Sequence, residues 1–323
     1  DFSVEELDKL FALADDIEKD PAKYAHKCDG KILATCFYEP STRTRLSFET
    51  AMTRLGGRVI GFSDAASSSA SKGESVSDTI RIISCYADIC AMRHPKEGAP
   101  MVAAEKSLIP VINAGDGGHQ HPTQTLANFL TLKEHFKKPL NQLSYAYVGH
   151  GQSNMAHALM AGAALAGMDF RIIGPAQYFP EDDFTAKCKK IAEKTGASFT
   201  FTDDPVEGVK GLDVIYTGVW VTMGDPYDLW GERIKLFMPY RITMDMIKNT
   251  GNPDTVFCHC LPSFHNTETK VGKDIYERFG LNGIEVTDDV FEAPFSLAFQ
   301  EAANRLPTIK AVMVATFGEY PMD

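Results

Sequence analysis

Short apolar runs alternate with amphipathic segments along most of the chain. The apolar runs predict β-strands at residues 31–37, 58–62, 89–92, 108–113, 144–148, 170–173, 199–201, 214–216 and 255–258. Helical spacing of apolar positions predicts helices at residues 4–17, 46–55, 76–86, 123–136, 155–166, 183–194, 229–236, 244–249 and 297–317. Pro307 should kink or divide the last helix. This alternation predicts an α/β fold with parallel sheets and right-handed crossovers.

The chain is long enough for two medium-sized domains. It has 323 residues, and a polar break at 136–141 precedes a second run of strands and helices. We therefore expect one domain at 1–136, with the C-terminal segment 297–323 packing back on it, and a second domain at 137–296.

A polar turn from Ser41 to Arg45 connects the first strand to a helix. A strand, turn and helix in this order aim several backbone N–H groups at one anion. Ser41 or Thr42 is a suitable N-cap, and the guanidinium groups of Arg43 and Arg45 suit phosphate or carboxylate. The alternative is a plain, solvated helix start. Arginine in a first turn opposes the helix dipole unless an anion is present, which favours an anion site.

Further polar side chains follow later strands. Arg93 ends one strand, and a glycine-rich turn after the next leads to His121 and Gln124. Strand ends are where α/β sheets place ligand groups, so this pattern favours a site over isolated structural residues.

Two loops permit more than one interpretation. The small, polar segment 64–74 contains Ser69 and Lys72 and is either a flexible linker or a mobile anion clamp. The turn from Gly149 to Asn154 imitates a dinucleotide-binding fingerprint. The third glycine is missing, and no ribose-binding acid follows the next strand, so a nicotinamide dehydrogenase is the weaker hypothesis.

Composition narrows the possible partners. The net charge is -11 and no long basic run occurs, which argues against nucleic acid. No apolar run has membrane-spanning length, and the first residues do not resemble a signal peptide. Seven cysteines without framework spacing indicate reduced thiols in a cytoplasm, and no metal-ligand spacing is present.

Four ordered motifs resemble the aspartate/ornithine carbamoyltransferase family. The segment from Phe37 to Glu49 resembles its carbamoyl-phosphate signature, and segments 92–95 and 121–124 resemble its second and third donor motifs. Segment 259–262 is similar to a fourth motif. Residues up to about 130, including Ser69 and Lys72, look like the aspartate type. The later motifs look like the ornithine type, as in a natural hybrid or an engineered chimera.

The resemblance implies two doubly wound parallel-sheet domains joined by two interdomain helices. It also implies transfer of the carbamoyl group from carbamoyl phosphate to an amine, without a metal or redox cofactor. Most of the catalysis should come from orientation and fixed dipoles. The expected donor-binding residues are Ser41, Thr42, Arg43, Thr44, Arg93, His121, Gln124 and Leu261, with Ser69 and Lys72 of the polar loop, and Arg305 could serve either the donor or the acceptor. Among them, Arg93, His121 and Thr44 would donate to the carbonyl oxygen as it gains charge.

The acceptor site departs from the ornithine pattern at one position. Gly218 stands where the ornithine type has an acidic residue, which removes the charge that would pair with an α-ammonium. Cys260 would face the attacking amine, with a buried hydrophobic role as the alternative. The remaining candidate acceptor residues are Asn154, Thr222, Met223 and Leu261. Ornithine, or a related amine without an α-ammonium, is therefore the favoured acceptor. Aspartate, or a catalytically silent carbamoyl-phosphate-binding relative, is the alternative.

The family also implies an assembly and a metabolic setting. The polar loop with Ser69 and Lys72 resembles one that completes a neighbouring subunit's site, so we expect a homotrimer. Amino-acid metabolism is the expected setting, with arginine biosynthesis named for it and the choice between a biosynthetic and a catabolic direction left open.

Overall fold

The computed structural model describes residues 3–221 and 227–318. The chain divides into two compact units, Asp1–Leu130 with Ala303–Asp323, and Thr131–Ala302. Both divisions fall inside helices, α6 (Pro122–Phe136) and α14 (Ala298–Thr316).

The first unit is built from alternating strands and helices before α6. They are α1 (Val4–Lys19), α2 (Pro21–Tyr24), β1 (Ile32–Phe37), α3 (Thr42–Arg54), β2 (Arg58–Phe62), α4 (Val76–Ile83), β3 (Ile89–His94), α5 (Ala99–Lys106) and β4 (Val111–Asp116). The strands form one parallel sheet in the order β2-β1-β3-β4. The strands β2 and β3 therefore lie on opposite sides of β1. In such a sheet, a crevice opens at the carboxyl ends of β1 and β3.

The second unit repeats this architecture with five strands. Its elements are β5 (Ser144–Val148), α7 (Asn154–Ala166), β6 (Asp169–Ile173), α8 (Asp182–Thr195), β7 (Ser198–Thr202), α9 (Pro205–Gly208), β8 (Val214–Thr217), α10 (Tyr227–Phe237), α11 (Met244–Asn249), β9 (Val256–His259), α12 (Lys270–Phe279) and α13 (Asp288–Phe291). The parallel order is β7-β6-β5-β8-β9. The order reverses at β5, so a crevice opens where β5 and β8 end.

Apolar side chains cover the faces of both sheets. In the second unit, the fully buried Trp230, Phe237 and Phe257 belong to one cluster that covers the sheet. In the first unit, a smaller cluster contains Ala34, Cys90 and Met92 from β1 and β3. Burial of both faces explains why the central strands β1, β5 and β8 are near-continuous apolar runs, whereas the edge strands β2 and β7 are partly exposed. The predicted fold class is confirmed.

Three local predictions differ from the structure. The strand expected at 108–113 begins only after Pro110 and continues to Asp116, because the glycine-rich segment still pairs with β3. The segment 64–74 contains two short 3₁₀ turns, Ala65–Ser67 and Ser69–Lys72, in which Ser67 N–H donates to the Asp64 side chain and Ala70 N–H donates to the Ser68 side chain. Pro307 does not divide α14.

Candidate active site

The N-terminus of α3 presents an open anion site at the end of β1. Ser41 occupies the N-cap position with an extended backbone (φ -154°, ψ 113°), but its side chain makes no capping hydrogen bond. The first-turn N–H groups of a helix have no intrahelical partner. The Ser41 hydroxyl and the backbone of Thr42, Arg43 and Thr44 lie at this terminus, where helices can bind anions, and the phosphate expected there from the sequence stays a prediction.

The two arginines of this turn have different roles. Arg45 Nε donates to Glu49 Oε1 at 2.7 Å, one helical turn further on, and Thr35 Oγ1 donates to the same oxygen at 3.2 Å. Arg45 is thus part of the packing between α3 and β1. The charge of Arg43 instead acts on the ring of His121, whose pKa it helps to lower.

Arg93 lies beside this helix terminus because β1 and β3 pair in register. Phe37 faces Arg93 across the sheet, and Tyr38 N–H donates to the Arg93 carbonyl at 2.9 Å. Arg93 Nε donates to Glu39 Oε1 at 2.6 Å, and both side chains are partly buried. Glu39 is a site residue that the sequence analysis missed, although it lies inside the recognised motif.

Asp116 fixes the turn that carries His121. Its carboxylate is 1% exposed and accepts hydrogen bonds from Gly98 N–H, the Asn113 amide and Gln120 N–H, and it pairs with His119. Four contacts on one carboxylate hold the glycine-rich turn in a single conformation. The sequence analysis missed this residue because it lies among glycines that predict only a turn.

His121 is buried, and the charges of three guanidinium groups act on its ring. Burial is the main reason that its pKa lies well below the usual value, and the charges of Arg305, Arg93 and Arg43 lower it further. Arg93 Nη1 lies 3.5 Å from His121 Nε2. If Arg93 donates, the ring proton lies on Nδ1, a buried atom without a hydrogen-bond partner among the described residues. An unpaired buried donor is costly unless a ligand accepts from it.

Arg305 and Gln124 complete the cluster of the first unit. The Arg305 Nη1 group donates to Gln124 Oε1, and Arg305 Nε lies 3.4 Å from Ser47 Oγ. Arg305 is 1% exposed. The sequence analysis left open whether Arg305 serves donor or acceptor, and the structure brings it to the donor residues.

Ser69 and Lys72 lie on an exposed surface of the first unit. They line an open cavity of about 530 Å³ together with Phe62, Glu74 and Thr79. Ser41, Thr42 and Arg45 line a different cavity, of about 330 Å³. The polar loop and the α3 terminus therefore line two different cavities. The contribution of Ser69 and Lys72 that the sequence predicts for a donor site is not made inside the cavity that they line here.

The acceptor candidates of the second unit gather at the ends of β5 and β8. Asn154 is the first residue of α7, which follows the glycine turn after β5. Gly218 follows β8 directly and is buried. Thr217 Oγ1 donates to the Val148 carbonyl at 2.7 Å and ties the two strand ends together. Thr222 and Met223 lie outside the described residues.

Cys260 and Leu261 form a constrained loop after β9. Leu261 has a left-handed backbone (φ 57°), which is unfavourable for a residue with a side chain. Its N–H donates to His259 Nδ1 at 2.8 Å, while His259 Nε2 lies 3.5 Å from Glu285 Oε1. His259 and Glu285 are fully buried and support the loop, a contribution that residue spacing did not indicate.

Other kinds of site find little support in the described part of the chain. All seven cysteines are free thiols, and residues 3–221 and 227–318 contain no group of three potential metal ligands. Over the same ranges, no helix has the length and apolar character needed to cross a bilayer.

Two family models match consecutive parts of the chain. Residues 1–134 match the carbamoyl-P binding domain of aspartate/ornithine carbamoyltransferase, and residues 141–316 match the Asp/Orn binding domain. The chain belongs to the aspartate/ornithine carbamoyltransferase family. The second model spans the turn from Gly149 to Asn154, so the dinucleotide-binding interpretation of that turn loses its support.

Relatives extend over the whole length. The chain is 48% identical to a protein named ornithine carbamoyltransferase 1, catabolic, of Staphylococcus epidermidis, over 99% of this chain and 96% of the relative. It is 46% identical to a protein of the same name from Streptococcus agalactiae, with the same coverage. The ornithine carbamoyltransferase structure from Pyrococcus furiosus matches with a TM-score of 0.87, 35% identity and coverage of 99% and 96%. The word catabolic in the first two names argues against the expected setting of arginine biosynthesis.

We predict that His121 makes stability depend on pH. The folded state holds His121 neutral, whereas the unfolded chain protonates it below its ordinary pKa of about 6.5. Stability is therefore lost as the pH falls below about 6.5, by up to about 1.4 kcal/mol per pH unit, and this cost is absent above it. A His121→Asn variant should show a flatter decline in melting temperature between pH 7 and pH 5. Equal slopes for the parent and His121→Asn would contradict the prediction.

Proposed function

We propose that this protein transfers the carbamoyl group of carbamoyl phosphate to the side-chain amine of ornithine, giving citrulline. The observation that carries the proposal is the uncapped N-terminus of α3, with Arg43, Arg93 and Arg305 all acting on one buried, neutral His121. Such a cluster suits a phosphate joined to a carbonyl group. Ornithine as acceptor is supported by the names of the full-length relatives.

The donor is held by groups of the first unit. Ser41, Thr42, Arg43 and Thr44 bind the phosphate with backbone and side-chain donors. Arg93, His121 and Thr44 donate to the carbonyl oxygen. A neutral His121 suits this role, because it offers a hydrogen-bond donor without repelling the nearby guanidinium groups.

The reaction is an addition followed by an elimination. The lone pair of the neutral amine attacks the carbonyl carbon, and the C–O π electrons move to the oxygen, where fixed donors stabilise the charge. The tetrahedral intermediate collapses with cleavage of the C–O bond to phosphate, and the amine loses one proton. Positioning supplies much of the acceleration, since the amine nitrogen is held near the carbon that it attacks.

The remaining predicted contacts orient the carbamoyl NH2 group and the amine. Gln124, the Leu261 carbonyl and Arg305 bind the donor, with the left-handed backbone of Leu261 setting the direction of its carbonyl. Cys260 contacts the acceptor amine. Asn154, Thr222 and Met223 bind the rest of the acceptor.

A homotrimer with shared sites is part of the proposal. The first unit exposes apolar side chains on α3, β2 and α4, namely Leu46, Ile60 and Ile82. The edge strand β2 is mostly exposed. Exposed Ser69 and Lys72 border the same surface, so a second copy of the chain that covers it would receive their polar groups. Lys72 would then supply positive charge to a neighbour's donor site.

A panel of acceptors tests the proposed reaction. With carbamoyl phosphate as donor, ornithine should release phosphate and form citrulline, whereas aspartate should not react. Aspartate turnover without ornithine turnover would overturn the acceptor assignment. Donor binding without turnover of any amine would favour a catalytically silent relative.

Replacement of Arg43 tests the donor site. Loss of a charged hydrogen bond to the phosphate costs roughly 2–4 kcal/mol in the transition state. Arg43→Ala should therefore lower kcat/KM for carbamoyl phosphate on the order of a hundredfold. Arg54→Ala, at the other end of α3, is the matched control. Parent-like kinetics for Arg43→Ala would contradict the phosphate assignment.

Mixed assemblies test the shared site. Lys72→Ala and Arg43→Ala chains should each be nearly inactive alone, and a mixture refolded together should regain activity. A mixed trimer has one interface at which both residues are intact. An active monomer in light scattering, or no recovery in verified mixed trimers, would disprove the shared site.

A further inference from the structure

His259 is a fully buried histidine at the end of β9 that the proposed reaction does not use. Leu261 N–H, two residues further along the chain, donates to His259 Nδ1 at 2.8 Å. A ring nitrogen accepts a hydrogen bond only where it carries no proton. The proton of the neutral ring therefore lies on Nε2, which is 3.5 Å from Glu285 Oε1.

The charge state of His259 decides whether this hydrogen bond exists. Burial lowers the pKa of His259, whereas the neighbouring Cys260 and Glu285 raise it, to about 9 in total. A ring with both protons would turn an N–H group toward the Leu261 N–H, and two donors cannot form a hydrogen bond. Despite the raised pKa, the distance of 2.8 Å therefore identifies the neutral ring as the form that holds the loop.

Glu285 holds the chain on the other side of Leu261. Its Oε1 atom accepts hydrogen bonds from Ser263 Oγ at 2.9 Å and from Phe264 N–H at 2.6 Å. The carboxylate is fully buried, and its Oε2 atom has no hydrogen-bond partner among the described residues, so its contacts with the loop converge on Oε1.

The left-handed backbone of Leu261 (φ 57°) depends on these contacts. A residue with a side chain keeps such a conformation only where its surroundings stabilise it. His259 holds the N–H group before the Leu261 carbonyl, and Glu285 holds the two residues after Pro262. The direction of the Leu261 carbonyl is therefore set by this buried pair.

We propose that His259 and Glu285 are positioning residues that make the donor site select a carbamoyl group over other acyl groups. The inference rests on the proposed carbamoyl transfer, in which the Leu261 carbonyl accepts from the carbamoyl NH2 group. An acetyl group has the same carbonyl but a methyl group in place of NH2, so it gains nothing from a directed Leu261 carbonyl. Gln124, the other proposed partner of NH2, already accepts from Arg305 through Oε1, which increases the share of Leu261 in the selection.

Two substitutions of His259 separate its ring nitrogens. The side-chain oxygen of asparagine can take the place of Nδ1, whereas the glutamine amide lies near the position of Nε2. With ornithine as acceptor, His259→Gln should lower the ratio of kcat/KM for carbamoyl phosphate to that for acetyl phosphate about tenfold, the loss of one hydrogen bond. His259→Asn should keep most of the ratio. A merely structural role would lower kcat/KM for both donors alike, so an unchanged ratio in His259→Gln would overturn the inference.

His265→Gln is the matched control. His265 lies in the same segment, but its Nδ1 atom contacts Asp288 at 2.7 Å rather than Leu261, so the ratio should stay at the parent value. If His259→Gln does not fold, Ser263→Ala provides a milder test, because it removes one hydrogen bond to Glu285. The ratio should then fall by a factor of about three, and a parent ratio would contradict the inference.

Binding without turnover separates this inference from the proposed function. Phosphonoacetamide and acetonylphosphonate differ only in having NH2 or methyl on the carbonyl group, and calorimetric titration measures their affinities. The parent should bind phosphonoacetamide more tightly, and His259→Gln should reduce the difference about tenfold. This result supports the inference even if no amine is carbamoylated, which would disprove the proposed reaction. No preference in the parent, or the same preference in His259→Gln, would overturn the inference while citrulline formation still supports the reaction.

Discussion

The lateral pairing of parallel strands is the constraint on which both candidate half-sites depend. In each sheet, one central strand lies between two neighbours that the chain reaches by crossovers in opposite directions. The connections therefore separate at the carboxyl end of that central strand. The pairing of Phe37 with Arg93 places an arginine beside a helix terminus that lies far away in sequence. The pairing of Val148 with Thr217 brings the glycine turn of β5 next to Gly218. A slip of one residue would turn these side chains to the opposite face of the sheet.

Buried charge is the second organising feature of the first unit. Burial and, after it, the charges of three guanidinium groups lower the pKa of one imidazole, which therefore remains neutral. Two of the cations have polar partners: Arg93 pairs with Glu39, and Arg305 donates to Gln124. These contacts reduce the cost of concentrating positive charge in a protein whose net charge is -11.

The sequence predicted most of the fold, because buried parallel strands produce distinct apolar runs and most of the helices a clear periodicity. The helices α5 and α12 were missed. The α3 terminus, Arg93 and His121 were also predictable, since strand ends are where such sheets place ligand groups. Glu39 and Asp116 were not. Their importance comes from contacts across the sheet or within one turn, and no spacing along the chain reports such contacts. The position of β4 was misjudged because a glycine-rich segment can extend a strand when its neighbour supplies the hydrogen bonds.

The ion pair between Arg93 and Glu39 means that a ligand can bind Arg93 Nε only in exchange for the Glu39 carboxylate. A ligand oxygen that takes over Arg93 Nε must displace a carboxylate that already holds it at 2.6 Å. A singly charged solute gains little by that exchange, because it replaces one monovalent anion with another. A ligand that joins a phosphate to a carbonyl group would contact the helix terminus with its phosphate at the same time, so its gain would exceed the cost of the exchange at Arg93. The internal carboxylate would thereby disfavour small monovalent anions at Arg93 relative to such a ligand.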